Sequence, residues 1–307
     1  MTTQVKTLFN PQNRIRETGV DRAFNVANYS ILAIFLVVIL YPLIYVVSAS
    51  FSDGAAVIAG KVVLWPVDFS LVAYEKIFRY ERIWIGYGNS LFYAVVGTVV
   101  NLTMTLIAAY PLSRRDLWGK NVILSLFIFT MFFSGGLIPT YLLVKDLGLR
   151  NTRWALIIPQ ALSVWNLLIS ITFFRTSIPH ELLEASQLDG CSDFQYFLRV
   201  LLPLSTPLIA VLALFYAIGH WNQFFAALLY LTNKDLFPLQ IILRDILISS
   251  QVDMNMMEDL QSMAAREAMR ELLKYALIVV ASVPVLMIYP FVQKYFVKGI
   301  MLGAVKG

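Results

Sequence analysis

Residues 181–203 read ELLEASQLDGCSDFQYFLRVLLP. Four carboxylates, Glu181, Glu184, Asp189 and Asp193, stand here between two long apolar runs. The stretch reads as two short helices around a turn. Pro179 suits a first helical turn, and Glu181 falls where the helix dipole favours an acid. Gly190 follows at a C-terminal position that often takes a left-handed backbone. Ser192 and Gln195 form a capping-box pattern that starts the second helix. Phe194, Phe197, Leu198 and Leu201 then fall at i, i+3, i+4 and i+7, one apolar stripe, with Ser192, Gln195 and Arg199 opposite. Pro203 is expected to end that helix. The first helix carries Leu182, Leu183, Ala185 and Leu188 on more than one side. A one-stripe helix can lie at a membrane interface. A helix that is apolar on several sides fits better when covered, which points to a protein partner.

The surroundings explain the setting. The chain of 307 residues has a mean hydropathy of +0.70 and only 14% charged residues, outside the range of soluble domains. Six intervals hold no Asp, Glu, Lys or Arg: 23–52, 83–113, 121–144, 154–174, 200–233 and 275–293. A bilayer core of about 30 Å needs roughly 20 apolar helical residues, and helices satisfy their own backbone in lipid. The expected fold is all-α and integral to the membrane. Its six transmembrane helices lie near 29–51, 88–112, 121–144, 154–175, 204–231 and 274–297, and the polar segment joins helices 4 and 5.

Lys and Arg divide 12 to 12 between the two sides, so the raw count gives no orientation. Charges close to the spans weigh most. Arg14, Arg16 and Arg22 precede span 1, and Arg114, Arg115 and Lys120 crowd the short connection 113–120. Both place the N-terminus in the cytoplasm, and six spans return the C-terminus there. Residues 52–87, 145–153 and 232–273 are then outside. The expected division is a cytoplasmic segment 1–28, a membrane domain 29–297 and a tail 298–307. The outer segment 232–273 reads as partly helical, either surface packing or a platform for an external partner. The first 22 residues are too polar for a secretory signal. Cys191 is the only cysteine, so no intrachain disulfide forms. No zinc or haem spacing occurs, and the net charge of +5 reflects anchoring rather than nucleic-acid binding.

Glu184-Ala185-Ser186, Asp189-Gly190 and Leu202-Pro203 resemble the "EAA" signature of ABC importer permeases: E-A-A, three residues, G, then an apolar residue and L-P. Ser186, Cys191 and Val200 depart from the usual alanine, alanine and isoleucine without disturbing the spacing. The stretch FFSGGLIPTYLLVKDLGL (132–149) and the tail YPFVQKYFVKGIMLGAVKG (289–307) resemble the carbohydrate-uptake branch. The resemblance implies a type I importer fold and a cytoplasmic coupling segment, 179–202, that docks on an ATPase. Glu184, Ala185, Ser186, Asp189, Gly190 and Pro203 are its ATPase-coupling residues. It also implies a second permease subunit, two ATPase subunits that bind the ATP, an external solute-binding protein and the cytoplasmic membrane of a bacterium. This chain itself would be non-catalytic and free of cofactor and metal.

The energy source reads the same way from the residues. The charge-free spans argue against an ion-coupled secondary carrier, which keeps ionisable groups near the midplane. No G-x-x-x-x-G-K loop is present, and no triad, paired-carboxylate or metal arrangement supports an enzyme or receptor. His220, Trp221 and Asn222 in span 5 offer an aromatic face and an amide, suited to a sugar path. They equally suit hydrogen bonding between helices. Trp165-Asn166 and Asn101 are expected to be packing residues.

Overall fold

The computed structural model describes residues 18–252 and 260–304, with side chains over 18–248, 265–288 and 290. The beginning of the segment 1–28 and the end of the tail 298–307 lie outside them. Among the described residues there is no strand. This is an all-helical membrane protein.

Among the described residues three helices are long and apolar enough to cross a bilayer: α1 (Gly19–Ser50), α4 (Arg82–Ser113) and the stretch Ala265–Ile288 of α14 (Leu260–Ala304). Between α1 and α4 lie α2 (Gly54–Ile58) and α3 (Val72–Arg79), and α13 (Leu239–Val252) precedes α14. Thr18 and Asp21 close a reciprocal capping box that starts α1. Along α1 only Ser48, Ala49 and Ser50 are buried, so most of its apolar surface stays uncovered by the other described residues. α4 is the opposite case. Asn89, Tyr93, Gly97, Asn101, Thr105 and Ala109 recur every four residues on its buried face. That face packs against α7 (Val164–Ser177) and α11 (Thr206–Trp221).

The remaining expected spans are broken, not continuous. The expected helix 121–144 is α5 (Lys120–Phe132) and α6 (Leu137–Asp146), set at 114°. Gly135 and Gly136 separate them, and Gly136 has φ +88°, outside helical space. Expected span 4 is a pair of 3₁₀ turns, Arg153–Leu156 and Ile158–Gln160, bent 50° from α7. Pro159 and the cap at Ser163 mark that break. Expected span 5 stops at Trp221, short of 231, and resumes as α12 (Phe225–Tyr230). By length and composition the described residues hold three to six candidate spans, six if each bent pair counts as one.

The buried apolar residues form three clusters. One joins α2, α3, α13 and α14 around Ile77, Ile83, Leu239 and Leu277. Another surrounds Tyr93, Ile157, Tyr230 and Ile241. The third gathers Leu106, Leu112, Leu167, Ile171, Phe174, Leu208 and Leu212 from α4, α7 and α11, and extends into residues 183–201.

Candidate functional site

α8 (Glu181–Leu188) ends in a Schellman closure: Cys191 N–H donates to the Ser186 carbonyl at 2.9 Å and Gly190 N–H to that of Gln187 at 3.0 Å. Gly190 takes φ +75°. Two residues on, Gln195 N–H donates to Ser192 Oγ at 3.3 Å, and Ser192 N–H to Gln195 Oε1 at 3.1 Å. α9 (Asp193–Tyr196) thus starts on a complete capping box. It continues through a π-helical turn over Phe197–Leu201 into α10 (Leu202–Leu204). Pro203 does not end this helix, as the sequence suggested, but sits inside its last turn. Having no N–H, Pro203 cannot close a regular bond onto Arg199. The preceding turn widens, Leu202 N–H bonding the Phe197 carbonyl. The chain bends by 80° at Ser205, whose hydroxyl donates to the Leu201 carbonyl at 2.7 Å. The wide turn also rotates the buried face. Tyr196, Phe197 and Leu201 are buried, whereas Phe194 and Leu198 of the expected stripe are 69% and 45% exposed.

The inner face of this two-helix segment is fixed to the spans. Leu183, Tyr196, Phe197 and Leu201 enter the apolar cluster of α4, α7 and α11. The Arg114 guanidinium, just past α4, bonds both oxygens of Asp116 (2.8 and 2.7 Å), Tyr110 Oη (3.1 Å) and Asp193. The Tyr110 ring lies 6.1 Å from Tyr196 and 5.4 Å from Phe197. The hydrogen bonds from Arg114 hold the Asp116 carboxyl at a pKa of about 2, and Arg114 itself is pushed further above its usual range. Arg175 of α7 donates to the Leu112 carbonyl at 2.6 Å. The outer face is bare. Glu184, Ala185, Asp189, Gly190 and Pro203 are exposed, Ser186 is half-buried, and Leu188 is 90% exposed.

A second polar site lies within the helices. His220 Nε2 faces Asn101 Oδ1 at 3.1 Å, and Asn101 Nδ2 donates to the Gln160 carbonyl at 2.7 Å. His220 reaches α4 because Gly97 leaves room: a Cβ there would sit 2.4 Å from Nε2. Tyr216 Oη pairs with Thr105 Oγ1 at 2.6 Å. Asn101, Gln160, Ser163, Asn166, Tyr216 and His220 border a recess of about 380 Å³. The three residues singled out in span 5 are not brought together. Only His220 borders the recess. Trp221 turns to α14, its Nε1 donating to the Ala281 carbonyl at 3.0 Å, and Asn222 is exposed past the helix end. Tyr216, Gln160 and Ser163 escaped the sequence reading, although Pro159 followed by a capping serine was a signal of a break. Among the described residues no group of three His, Cys, Asp or Glu side chains could hold a metal ion.

Residues 101–302 match the family described as "Binding-protein-dependent transport system inner membrane component". The chain belongs to this family. The polygalacturonan/rhamnogalacturonan transport system permease protein YtcP of Bacillus subtilis (strain 168) is 43% identical over 288 residues, 94% of this chain and 99% of that protein. Protein LplC of the same organism is 42% identical over 293 residues, 95% and 98% of the two chains. A solved structure, titled as a bacterial ABC transporter involved in the import of the acidic polysaccharide alginate, superposes with a TM-score of 0.81 at 34% identity. That match covers 92% of this chain and 100% of the other. As a member of this family, the chain is the membrane component of a transport system.

Proposed function

We propose that this chain is one of two transmembrane subunits of an ATP-driven sugar importer, and that segment 179–202 is its coupling segment. The carrying observation is the two-faced build of that segment: one face locked to α4, α7 and α11, the other bare and rigidly shaped. The named relatives supply the substrate class. YtcP is named for polygalacturonan and rhamnogalacturonan, the superposed transporter for alginate, and a 28% identical relative for arabinooligosaccharides. The substrate is an oligosaccharide delivered by an external binding protein.

In this reading the six spans are α1, α4, the bent α5–α6 pair, the 3₁₀ turns with α7, α11 and α14. They fill a membrane domain at 29–297, with 1–28 and 298–307 in the cytoplasm of a bacterium. Two cytoplasmic ATPase subunits bind the ATP, and this chain binds no cofactor. Glu184, Ala185, Ser186, Asp189, Gly190 and Pro203 form or support the docking surface. Closure of the ATPases moves the segment as one body, and Arg114 and the apolar cluster carry the motion into the spans. The bare surface of α1 meets lipid and the second permease. His220 and Asn222 border the sugar path, while Trp221 fastens α11 to α14.

The test is reconstitution in proteoliposomes. The purified chain should bind no nucleotide, and oligosaccharide uptake should require both ATPases, the second permease, the binding protein and ATP together. Uptake driven by a proton or sodium gradient without ATP would overturn the assignment.

A further inference from the structure

We infer that the recess at the break before α7 is a sugar subsite that reads hydroxyl groups, with the Asn166 carboxamide as its contact. This inference rests on the transport reading above. The first support is depth. α7 has 14 residues, so at 1.5 Å per residue Asn166 stands roughly 17 Å from the coupling-segment end. Asn101 lies 13 residues before Arg114 at the same end of α4, about 20 Å away, and Tyr216 lies ten residues into α11, about 15 Å. Three helices thus set polar groups at one level, near the middle of a core of about 30 Å.

The second support is the backbone. The helical path breaks at 161–163, where Ser163 caps α7 through Asn166 N–H. Irregular backbone at such depth is tolerated where it is buried in protein or lines a watered cavity. Discontinuous helices near the midplane are also where transporters build substrate sites.

The third support is the state of each polar side chain. Asn101 uses both ends of its amide, Tyr216 is paired with Thr105, and His220 with Asn101. These form a fixed wall. Asn166 is 6% exposed and borders the recess, yet its carboxamide makes no hydrogen bond within the chain. Its amide atoms are not sealed off in the protein, so the carboxamide opens into the recess and is free to pair with a group that enters. Gln160 extends a second amide, also without a side-chain partner, and Phe215 adds an aromatic face.

The ligand class follows from size and charge. At about 380 Å³ the recess is near the lower limit of small-ligand sites, room for one ring rather than a whole oligosaccharide. Its lining includes no Lys, Arg, Asp or Glu. Amides and hydroxyls both donate and accept, as sugar hydroxyls do. A carboxylate here would find no cation and would be costly to desolvate. A uronate would therefore turn its hydroxyls, not its carboxylate, toward this chain.

The test uses the complete complex in proteoliposomes with a panel of neutral and uronate di- to tetrasaccharides. The readout is sugar carried per ATP hydrolysed, a ratio that merely structural damage leaves unchanged. Asn166→Ala should lower the ratio about tenfold, by the same factor for a neutral and a uronate sugar. Asn166→Gln should recover part of it, and Asn166→Asp should depress it more for the uronate. An Asn166→Ala complex with a wild-type ratio overturns the subsite. So does one that melts early or loses subunits with its ratio unchanged, which would assign Asn166 to packing against the second permease. If the wild-type complex carries no sugar of the panel, the transport reading falls and the subsite with it.

Discussion

Segment 181–204 takes its shape from residues within five positions of one another, whereas the layer around His220 draws on residues 97 to 220. In the first, Ser186 to Cys191, Gln187 to Gly190 and Ser192 to Gln195 are all short-range bonds. In the second, His220 meets Asn101 across 119 positions and Tyr216 meets Thr105 across 111. The locally encoded region can present a fixed shape to a partner while much of its surface is bare. The other exists only once α4, α7 and α11 have packed. Damage to the first should spoil coupling and spare assembly, and damage to the second should reach stability.

The largest expected effect falls on the local region. Gly190→Val forces a β-branched residue into φ +75°. No atom lies within 4 Å of an added Cβ there, so the strain is confined to the backbone. It amounts to about 1–2 kcal/mol, enough to open the turn and tilt α9. ATP-driven uptake should fall more than tenfold while the subunit still inserts and assembles. Gly190→Asn, which accepts this backbone more readily, should keep most of it. Unimpaired uptake by the valine variant would remove the turn from the coupling account.

Gly97→Ala probes the other region. The new methyl would meet the His220 ring at 2.4 Å and push it off Asn101. Overpacking of this kind costs about 1–3 kcal/mol, and the complex should melt several degrees lower. An unchanged melting temperature would mean that α11 shifts freely and that the layer is not a fixed wall.

The segment itself was largely legible because its bonds are short-range. Ser192 and Gln195 announce a capping box by spacing alone, and Gly190 a C-terminal closure. The π-helical turn was not legible, since Pro203 says that a bond is missing but not how the turn adjusts. Of the expected stripe Phe197 and Leu201 are buried, while Phe194 and Leu198 are exposed and Tyr196 takes a place on the buried face. Charge-free intervals located the apolar runs but not their breaks. Gly135-Gly136, Pro159 and Asn222 each stand inside an interval that lacks charge from end to end. Asn166 resembled a packing residue because one sequence does not show whether an amide has a partner.

Smaller effects should follow from the ionic clamp. Asp193→Asn removes one of two carboxylates from Arg114, and the lost side chain is 61% exposed, so the cost is below about 1 kcal/mol. Uptake should fall two- to threefold, within the roughly fivefold that a cost of about 1 kcal/mol would allow. Asp116 has its pKa lowered to about 2. A depressed carboxylate contributes stability that is fully present above its unfolded pKa and is lost as pH falls through the folded value. The clamp should therefore hold from pH 5 to 8 and weaken only from about pH 4 downward toward pH 2. A titration of coupled uptake near pH 6 that vanished in Asp116→Asn would contradict this. Smallest of all, Glu75→Gln breaks an exposed pair with Arg79 in α3, far from both regions, and should change neither melting nor uptake measurably.

The most direct measurement concerns the bare face of the coupling segment. A photo-crosslinking residue placed at Leu188, 90% exposed on that face, is activated in the purified complex with its ATPases. The expected product is an adduct between this chain and an ATPase subunit, abundant with or without sugar. Adducts confined to lipid or to the second permease, in a complex that contains the ATPases, would contradict the account.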